Sequence, residues 1–233
     1  ELEQTSGTII AAVSGGVDST VASALMAKAA ANRFIPIYCD NGLMRAGTKE
    51  AVKKIFKENL NVDPIIVDCQ QEFLDALQGV SDPEKKRKII GNLYIKIFER
   101  EAKKLDNVEF LVQGTIYSDV IESKGSKNAS KIKSHHNVGG LPEKMQLKLI
   151  EPVREFYKDE VRELGRQLGL PAEIVTRQPF PGPGHAIRIL GEVTPERLAK
   201  QQLADKIVIE VLKETGWFEK VFQSFPIMTG TMT

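Results

Sequence analysis

The chain has 233 residues, of which 42% are hydrophobic and 27% charged, and its 32 basic residues offset 31 acidic ones to leave a formal net charge of +1. These proportions are typical of a globular protein, and the lack of a basic excess argues against a protein that clamps nucleic-acid phosphates. No apolar run in the sequence approaches the roughly 18 residues that cross a bilayer, which argues against a membrane protein. The two cysteines, Cys39 and Cys69, are too few for a disulfide framework, so we expect a cytoplasmic protein.

Strand-like and helix-like segments alternate along most of the chain. Short apolar runs, typical of strands covered on both faces, occupy residues 8–13, 33–40, 63–69, 108–117 and 147–153. Helical periodicity follows residue 17 and recurs at residues 51–56, 83–105 and 161–168. The alternation predicts an α/β fold, a mostly parallel twisted sheet with helices on both faces. Further on, Thr194 is predicted to cap a helix that begins at Pro195 and ends near Thr215.

Three segments have an unusual composition. Residues 121–140 are rich in Ser, Lys, Gly, Asn and His and lack periodicity, which is typical of a mobile lid or a disordered linker. Residues 177–184 combine three prolines with two glycines, so stiff and free backbone positions alternate there. The basic run at residues 84–88 precedes apolar residues at helical spacing, so its lysines are predicted to form the solvent-exposed face of a helix.

The sequence SGGVDS at residues 14–19 follows the first predicted strand, at the carboxyl edge where parallel sheets bind ligands. Gly15 and Gly16 let successive backbone amides converge, Ser14 and Ser19 add hydroxyl donors, and the helix that follows contributes its positive end. The pattern therefore predicts a phosphate cradle. The alternative is a plain strand-to-helix turn that Asp18 and Ser19 cap. Neither the G-x-x-x-x-G-K-[ST] nor the G-x-G-x-x-G phosphate motif is present.

The same loop resembles the S-G-G-x-D-S loop of the PP-loop ATP pyrophosphatase superfamily, whose members cleave ATP between its α- and β-phosphates. Six further segments, in the same order, are similar to the synthetase domain of GMP synthetases: DNGLMR from residue 40, DPEKKRKIIG from 82, QGTIYSDVIES from 113, IKSHHNVGGL from 132, EPVREFYKDEVRELG from 151 and PFPGPG from 179. The resemblance covers about residues 7–193. It implies an adenine nucleotide alpha hydrolase-like fold and the ATP-dependent amination of XMP to GMP through an adenyl-XMP intermediate.

The resemblance also implies an ATP site and its metal. The residues expected to bind ATP and pyrophosphate are Ser14, Gly15, Gly16, Val17, Asp18 and Ser19, with Tyr38 and Cys39 beside the adenine. Mg²⁺ is the expected cofactor, because one or two carboxylates usually hold it beside phosphates. Asp18 and Asp119 are the candidate ligands and, with Lys133, the candidate catalytic residues; for Asp119 the alternative role is a loop cap.

A second set of residues is expected to bind XMP. It comprises Arg87, His135, His136, Pro181, Gly182 and Gly184. Lys133 and the two histidines lie in the predicted lid, which would exclude water from the adenylated intermediate. The alternatives are an exposed loop for the histidines and a solvated helix face for Arg87.

The chain departs from the family pattern at four positions and in its last residues. Ser118 stands where proline is usual, Gln178 where histidine is usual, Cys39 where valine is usual, and His185 where leucine is common. We expect residues 1–180 to form the ATP pyrophosphatase domain and residues 181–233 to begin a dimerisation domain that is incomplete here. A homodimer and a separate glutaminase domain or subunit, as the ammonia source, are the expected partners.

Two other functions fit the loop. One is a PP-loop enzyme that thiolates tRNA, which the near-neutral charge disfavours. The other is a nucleotide-binding module without catalytic activity. The loop alone leaves both open.

Overall fold

The computed structural model describes residues 5–125 and 147–230 of the chain. Within them, five strands form one fully parallel sheet in the order β3-β2-β1-β4-β5. The strands are β1 (Thr8–Ala12), β2 (Phe34–Asp40), β3 (Ile65–Asp68), β4 (Val108–Val112) and β5 (Lys148–Ile150). The predicted parallel α/β fold is confirmed.

Helices connect the strands and follow the last of them. They are α1 (Val17–Ala30), α2 (Thr48–Lys54), α3 (Gln70–Leu77), α4 (Pro83–Ala102), α5 (Tyr117–Gly125), α6 (Lys158–Gln167), α7 (Ala172–Val175) and α8 (Pro195–Glu214). Short 3₁₀ turns occupy Ala31–Arg33 and Gly184–Arg188, and a π turn, Ile55–Asn59, extends α2. No helix among the described residues is long and apolar enough to cross a membrane.

The central strand β1 is buried on both faces, as its uninterrupted apolar sequence predicts. Successive side chains of a strand point to opposite faces of the sheet. Ile9 therefore packs with Val21 of α1 in one apolar cluster, whereas Ile10 packs with Phe98 of α4 in another. Both isoleucines are fully buried. Burying an aliphatic side chain of this size contributes about 2 kcal/mol, so β1 is the axis of the core.

The order in which the strands are added across the sheet changes direction at β1. From β1 the chain passes to β2 and β3 on one side, and β4 and β5 lie on the other side. Ligands of open parallel sheets bind at such a switch point, outside the carboxyl ends of the strands. The loop at residues 14–19 leaves β1 at this point and leads into α1.

Several sequence predictions need correction. The fourth strand ends at Val112 rather than residue 117, and α5 begins at Tyr117, so the predicted loop from residue 121 starts as a helix as far as residue 125. The helix begins at Tyr117 because the Asp119 carboxylate accepts a hydrogen bond from the Ile116 amide, just before its first residue. The helix α3 was not predicted at all. The α8 prediction is confirmed, and Thr194 accepts a hydrogen bond from the Arg197 amide as its N-cap.

The basic run at residues 84–88 also differs from its prediction. Lys85 and Lys88 are exposed on α4, but Lys86 is only 1% exposed. The side chain of Lys86 turns inward because backbone carbonyls of residues 186–191 face it. A solvated face was therefore the wrong prediction for this one lysine.

Candidate functional site

The loop at residues 14–19 is organised by its own hydroxyl groups. The Ser14 hydroxyl accepts a hydrogen bond from the Gly16 amide at 3.2 Å and lies 3.1 Å from the Ser19 hydroxyl. The Ser19 hydroxyl also contacts the Gly16 carbonyl at 3.2 Å. Gly15 has a φ of +77°, which a residue with a Cβ seldom adopts. The loop is therefore a tight, preorganised turn ahead of the positive end of α1.

The plain capped turn is not what the structure contains. Gly16 is the N-cap of α1, and no side chain makes a capping hydrogen bond there. The hydroxyl of Ser19 donates to a carbonyl instead of accepting from an amide of the first turn. Asp18, in the first turn of α1, pairs with Lys158. The polar side chains of this turn are thus not used to cap α1.

Gly114, just beyond β4, permits the closest approach to this loop. A Cβ at Gly114 would lie 2.7 Å from the Ser19 nitrogen and 2.8 Å from the Asp18 carbonyl carbon. Both are backbone atoms, so neither can move aside easily. Gly114 was not predicted as a site residue, although it lies in the QGTIYSDVIES segment that carries the family resemblance.

Asp18 and Asp119 lie close enough to influence each other. The Lys158 ammonium, at the start of α6, contacts both carboxylate oxygens of Asp18, at 2.6 and 2.7 Å. Burial raises the pKa of the Asp18 carboxyl, the Lys158 ammonium opposes that rise, and the Asp119 carboxylate adds to it. Asp119 also bonds the Ile116 amide at 3.0 Å, so its alternative role as a cap is real. The two predicted metal ligands are therefore within electrostatic range of each other, and their role as ligands stays a prediction.

Three cations near the loop were not predicted. Besides Lys158, Arg162 acts electrostatically on Asp18, and Arg177 donates a hydrogen bond to the Gly15 carbonyl. Burial lowers the pKa of Arg177. Lys158 and Arg162 are four residues apart on α6, so they share one face of that helix. This spacing, within the EPVREFYKDEVRELG segment, is the sequence signal that would have identified them.

The predicted adenine residues face opposite sides of the sheet. Tyr38 is buried in the apolar cluster that contains Val17 and Val52, and it lines a cavity of about 380 Å³ beyond the end of β2. Cys39 packs on the other face against Cys69 and is not among the residues that line this cavity. Only Tyr38 of the two lines this cavity, and a role beside the adenine stays a sequence prediction for both residues.

The two predicted glycines of the PFPGPG segment differ in their surroundings. A Cβ at Gly182 would meet nothing within 4 Å, so its backbone is accessible. Gly184 has a φ of +64°, and a Cβ there would lie 2.3 Å from the Leu43 carbonyl oxygen. Its amide already donates to the Pro181 carbonyl at 2.9 Å. Gly184 thus has a packing role, and an exposed amide for phosphate is available at Gly182 rather than at Gly184.

The remaining predicted residues are less informative. Arg87 lies on α4, is 38% exposed in its side chain and pairs with Glu84, as a solvated helix face would. Its role toward XMP stays a prediction. Lys133, His135 and His136, with the rest of the predicted lid beyond residue 125, lie outside the described residues.

Two of the departures from the family pattern are fully buried and lie near this segment. Gln178 bonds the Phe218 carbonyl and both the amide and hydroxyl of Ser224, which attaches the last described residues to the body of the protein. His185 packs edge-on against Phe180, and neither ring nitrogen has a partner among the described residues. Burial lowers the pKa of His185 to about 4.

Comparison with known proteins gives one consistent result. No family model matches the chain. It is 55% identical over 224 residues to a protein named GMP synthase [glutamine-hydrolyzing] from Wolinella succinogenes, covering 96% of this chain and 43% of that protein. The corresponding protein of Thermotoga maritima is 55% identical over 220 residues, or 94% of this chain and 44% of the relative. The chain therefore spans less than half the length of the curated relatives it matches.

Solved structures show a similar fold. The NMN synthetase from Francisella tularensis superposes with a TM-score of 0.58 at 14% identity, over 94% of this chain and 86% of that one. The NH3-dependent NAD synthetase from Campylobacter jejuni gives a TM-score of 0.55 at 13% identity, over 95% and 86%. At these identities the likeness concerns the fold alone.

Proposed function

This chain is homologous to the synthetase portion of the glutamine-hydrolysing GMP synthases, and we infer its function from that homology. It uses ATP to convert XMP to GMP. The 2-oxygen of XMP attacks the α-phosphorus of ATP, pyrophosphate leaves, and ammonia then displaces AMP from C2 of the adenylated base. The observation that carries this proposal is the preorganised loop at residues 14–19, placed at the switch point of the sheet.

The cations around the loop have a direct use in this reaction. A triphosphate and a nucleotide monophosphate carry many negative charges, and the leaving pyrophosphate must be stabilised as its charge develops. Lys158, Arg162 and Arg177 converge on the loop from two different elements and supply positive charge there. The amides of the loop and the positive end of α1 add to that charge.

Asp18 and Asp119 would hold Mg²⁺ at this site. Asp18 and Asp119 are near enough for the charge of Asp119 to raise the pKa of Asp18, which is the situation that a divalent cation relieves. In the described part of the chain, no group of three or more His, Cys, Asp or Glu side chains is arranged to hold a metal ion. Phosphate oxygens would therefore supply the other ligands, as is usual for Mg²⁺. When bound, the ion neutralises charge on the phosphates.

The rest of the proposal concerns parts that only the sequence supports. Arg87 and the Pro181 to Gly184 loop would hold XMP, and Lys133, His135 and His136 would close over the reaction. Residues 1–180 would form the ATP pyrophosphatase domain, and residues 181–233 would begin a domain through which two copies pair. Ammonia would come from a glutaminase domain or subunit.

The test is incubation with ATP, Mg²⁺, XMP and ammonia, with pyrophosphate and GMP measured over time. We expect pyrophosphate release that requires XMP, with GMP formed in equal amount. Release that does not require XMP contradicts this function. ATP binding without turnover identifies a non-catalytic module, and turnover with tRNA and a sulfur donor identifies a thiolating enzyme.

Asp18→Asn tests the loop itself. The substitution removes the negative charge that would hold the metal, so we expect pyrophosphate release to fall by at least about 100-fold. The melting temperature should stay close to that of the wild type, since Asp18 makes no capping hydrogen bond and the isosteric amide keeps its volume. Asp159→Asn, an exposed residue in the first turn of α6, is the matched control and should leave the rate unchanged.

A further inference from the structure

Lys86 of α4 is a charged side chain enclosed almost completely by protein. It is 1% exposed, and its ammonium donates to the carbonyls of Ala186, Ile189 and Gly191 at 3.0, 2.7 and 2.5 Å. An ammonium has three protons, so these three acceptors use its whole donor capacity. All three lie in one short segment, residues 186–191, which follows the PFPGPG sequence.

The ammonium is held without a counter-ion. No carboxylate within the described ranges forms an ion pair with Lys86, and burial lowers its pKa, with Arg197 adding to that effect. Burying a cation without an acidic partner is costly, and an apolar side chain of similar length would fill the same space without that cost. What the ammonium supplies, and an apolar side chain does not, is a fixed geometry for three backbone carbonyls.

Arg197 holds the same segment from α8. It donates to the Leu190 carbonyl at 2.6 Å and to the Glu192 carbonyl. From residue 189 to residue 192, successive carbonyls are thus bound alternately by Lys86 and by Arg197. The backbone here is clamped between the two helices.

Lys86 connects two elements that the proposed function assigns to XMP. The next residue along α4 is Arg87, and the carbonyl of Ala186 lies two residues beyond Gly184. We propose that Lys86 is a positioning residue for XMP: its buried ammonium fixes residues 186–191 against α4 and thereby sets the spacing between Arg87 and the Pro181 to Gly184 loop. The role rests on the proposed function, and Lys86 itself touches no substrate.

The segment has a second connection to the body of the protein, which does not involve Lys86. The Leu43 carbonyl accepts a hydrogen bond from the His185 amide at 2.7 Å. The Leu43 amide in turn donates to Asn41, whose side chain bonds Tyr94 of α4. We therefore expect the loss of Lys86 to shift residues 186–191 rather than to release them.

The experiment compares Lys86→Met with Lys85→Met, the same change at an exposed neighbour on α4. Calorimetry measures the affinity for XMP and, separately, for α,β-methylene-ATP with Mg²⁺; steady-state assays give the KM of XMP and of ATP. We expect Lys86→Met to weaken XMP binding and raise the KM of XMP by about tenfold, because small displacements of positioning groups are costly. Binding of the ATP analogue should be unchanged in both variants.

Lys86→Gln, which keeps two N–H donors, should recover part of the XMP affinity, and it takes the place of Lys86→Met if that variant does not fold. Equal XMP affinity in Lys86→Met and the wild type overturns the positioning role, as does a parallel loss of XMP and ATP-analogue binding. A wild-type chain that neither binds XMP nor releases pyrophosphate with it refutes the proposed function and the positioning role together. The wild-type measurement thus separates the two failures.

Discussion

The loop at residues 14–19 is predicted to bind ATP, and the segment at residues 178–191 contains the PFPGPG sequence predicted to bind XMP, but the two regions are stabilised in different ways. In the loop, the hydrogen bonds between Ser14, Gly16 and Ser19 join residues no more than five positions apart. In the segment, the buried hydrogen bonds of Lys86 join positions 100 to 105 residues apart. The first region is a local structure, and the second exists only in the assembled fold.

Because of this difference, we expect substitutions in the two regions to affect different properties: catalysis for the loop and stability for the segment. The Ser14 and Ser19 side chains of the loop are at least partly exposed, and the loop is proposed to bind ATP, so we expect substitutions there to reduce catalysis more than folding. The polar groups of the segment are enclosed, so we expect substitutions there to reduce the free energy of unfolding. A loop variant that unfolds the protein, or the loss of an enclosed polar group of the segment without any loss of stability, would break the distinction.

Asp205→Asn, on α8, is the change expected to have the largest effect on this segment. Asp205 is 2% exposed, and its carboxylate bonds Arg188 at 3.2 Å and Arg45 at 2.8 Å. Arg188 also stacks against the rings of Phe180 and Phe225. Removing the one negative charge leaves two cations facing each other without compensation, at a cost of about 4 kcal/mol in the free energy of unfolding, measured by urea denaturation.

Glu196→Gln is the matched control for that measurement. Glu196 also lies on α8 and pairs with Lys200 at 2.6 Å, but both side chains are largely exposed. Solvent screens such a pair, so no measurable change in stability is expected. Equal urea midpoints for the Asp205 and Glu196 variants would show that the buried ion cluster does not anchor the segment.

Gly184→Ala comes next in size. The added Cβ would lie 2.3 Å from the Leu43 carbonyl oxygen, on a residue whose φ is +64°. The unfavourable φ and the overlap together should cost about 3 kcal/mol in the free energy of unfolding. Gly182→Ala, two positions earlier, meets nothing within 4 Å and should change stability by less than about 0.5 kcal/mol. Similar losses in both variants would contradict the packing role of Gly184.

The same distinction explains how much the sequence could predict. The parallel sheet, the position of the loop and the cap of α8 follow from local signals: apolar runs, paired glycines and a Thr-Pro dipeptide. Ser14, Gly15 and Ser19 form the predicted turn because each acts on residues a few positions away.

Residues whose roles depend on distant partners could not be predicted in this way. The inward orientation of Lys86 is set by carbonyls about 100 positions further along the chain, and a basic run on a helix normally indicates a solvated face. Lys158 and Arg177 reach the loop from α6 and from the segment after α7, which only the folded chain brings together. The packing role of Gly184, whose missing Cβ accommodates the Leu43 carbonyl, is of the same kind and was not predicted.

His185 gives the smallest effect, and one that depends on pH. The imidazole is fully buried against Phe180, with Arg45, Arg188 and Asp205 as the nearby charged groups. Burial lowers its pKa from 6.5 to about 4. The charges of Arg188 and Arg45 also lower this pKa, whereas the charge of Asp205 raises it. The folded protein therefore resists protonation at a position where the unfolded chain accepts a proton readily.

Because the folded-state pKa lies below that of the unfolded chain, stability falls as the pH drops from 6.5 towards about 4. At about pH 5 the contribution of His185 to this loss should be about 2 kcal/mol, while at pH 7 and above it vanishes. His185→Leu removes the titrating group, so the difference in unfolding free energy between variant and wild type should shift in favour of the variant by that amount on acidification from about pH 7 to about pH 5. Urea denaturation at both pH values measures the shift. A difference that does not change with pH would mean that water or a rearranged partner reaches the imidazole. The segment around residue 185 would then not be enclosed, and it would not differ in this respect from the loop at residues 14–19.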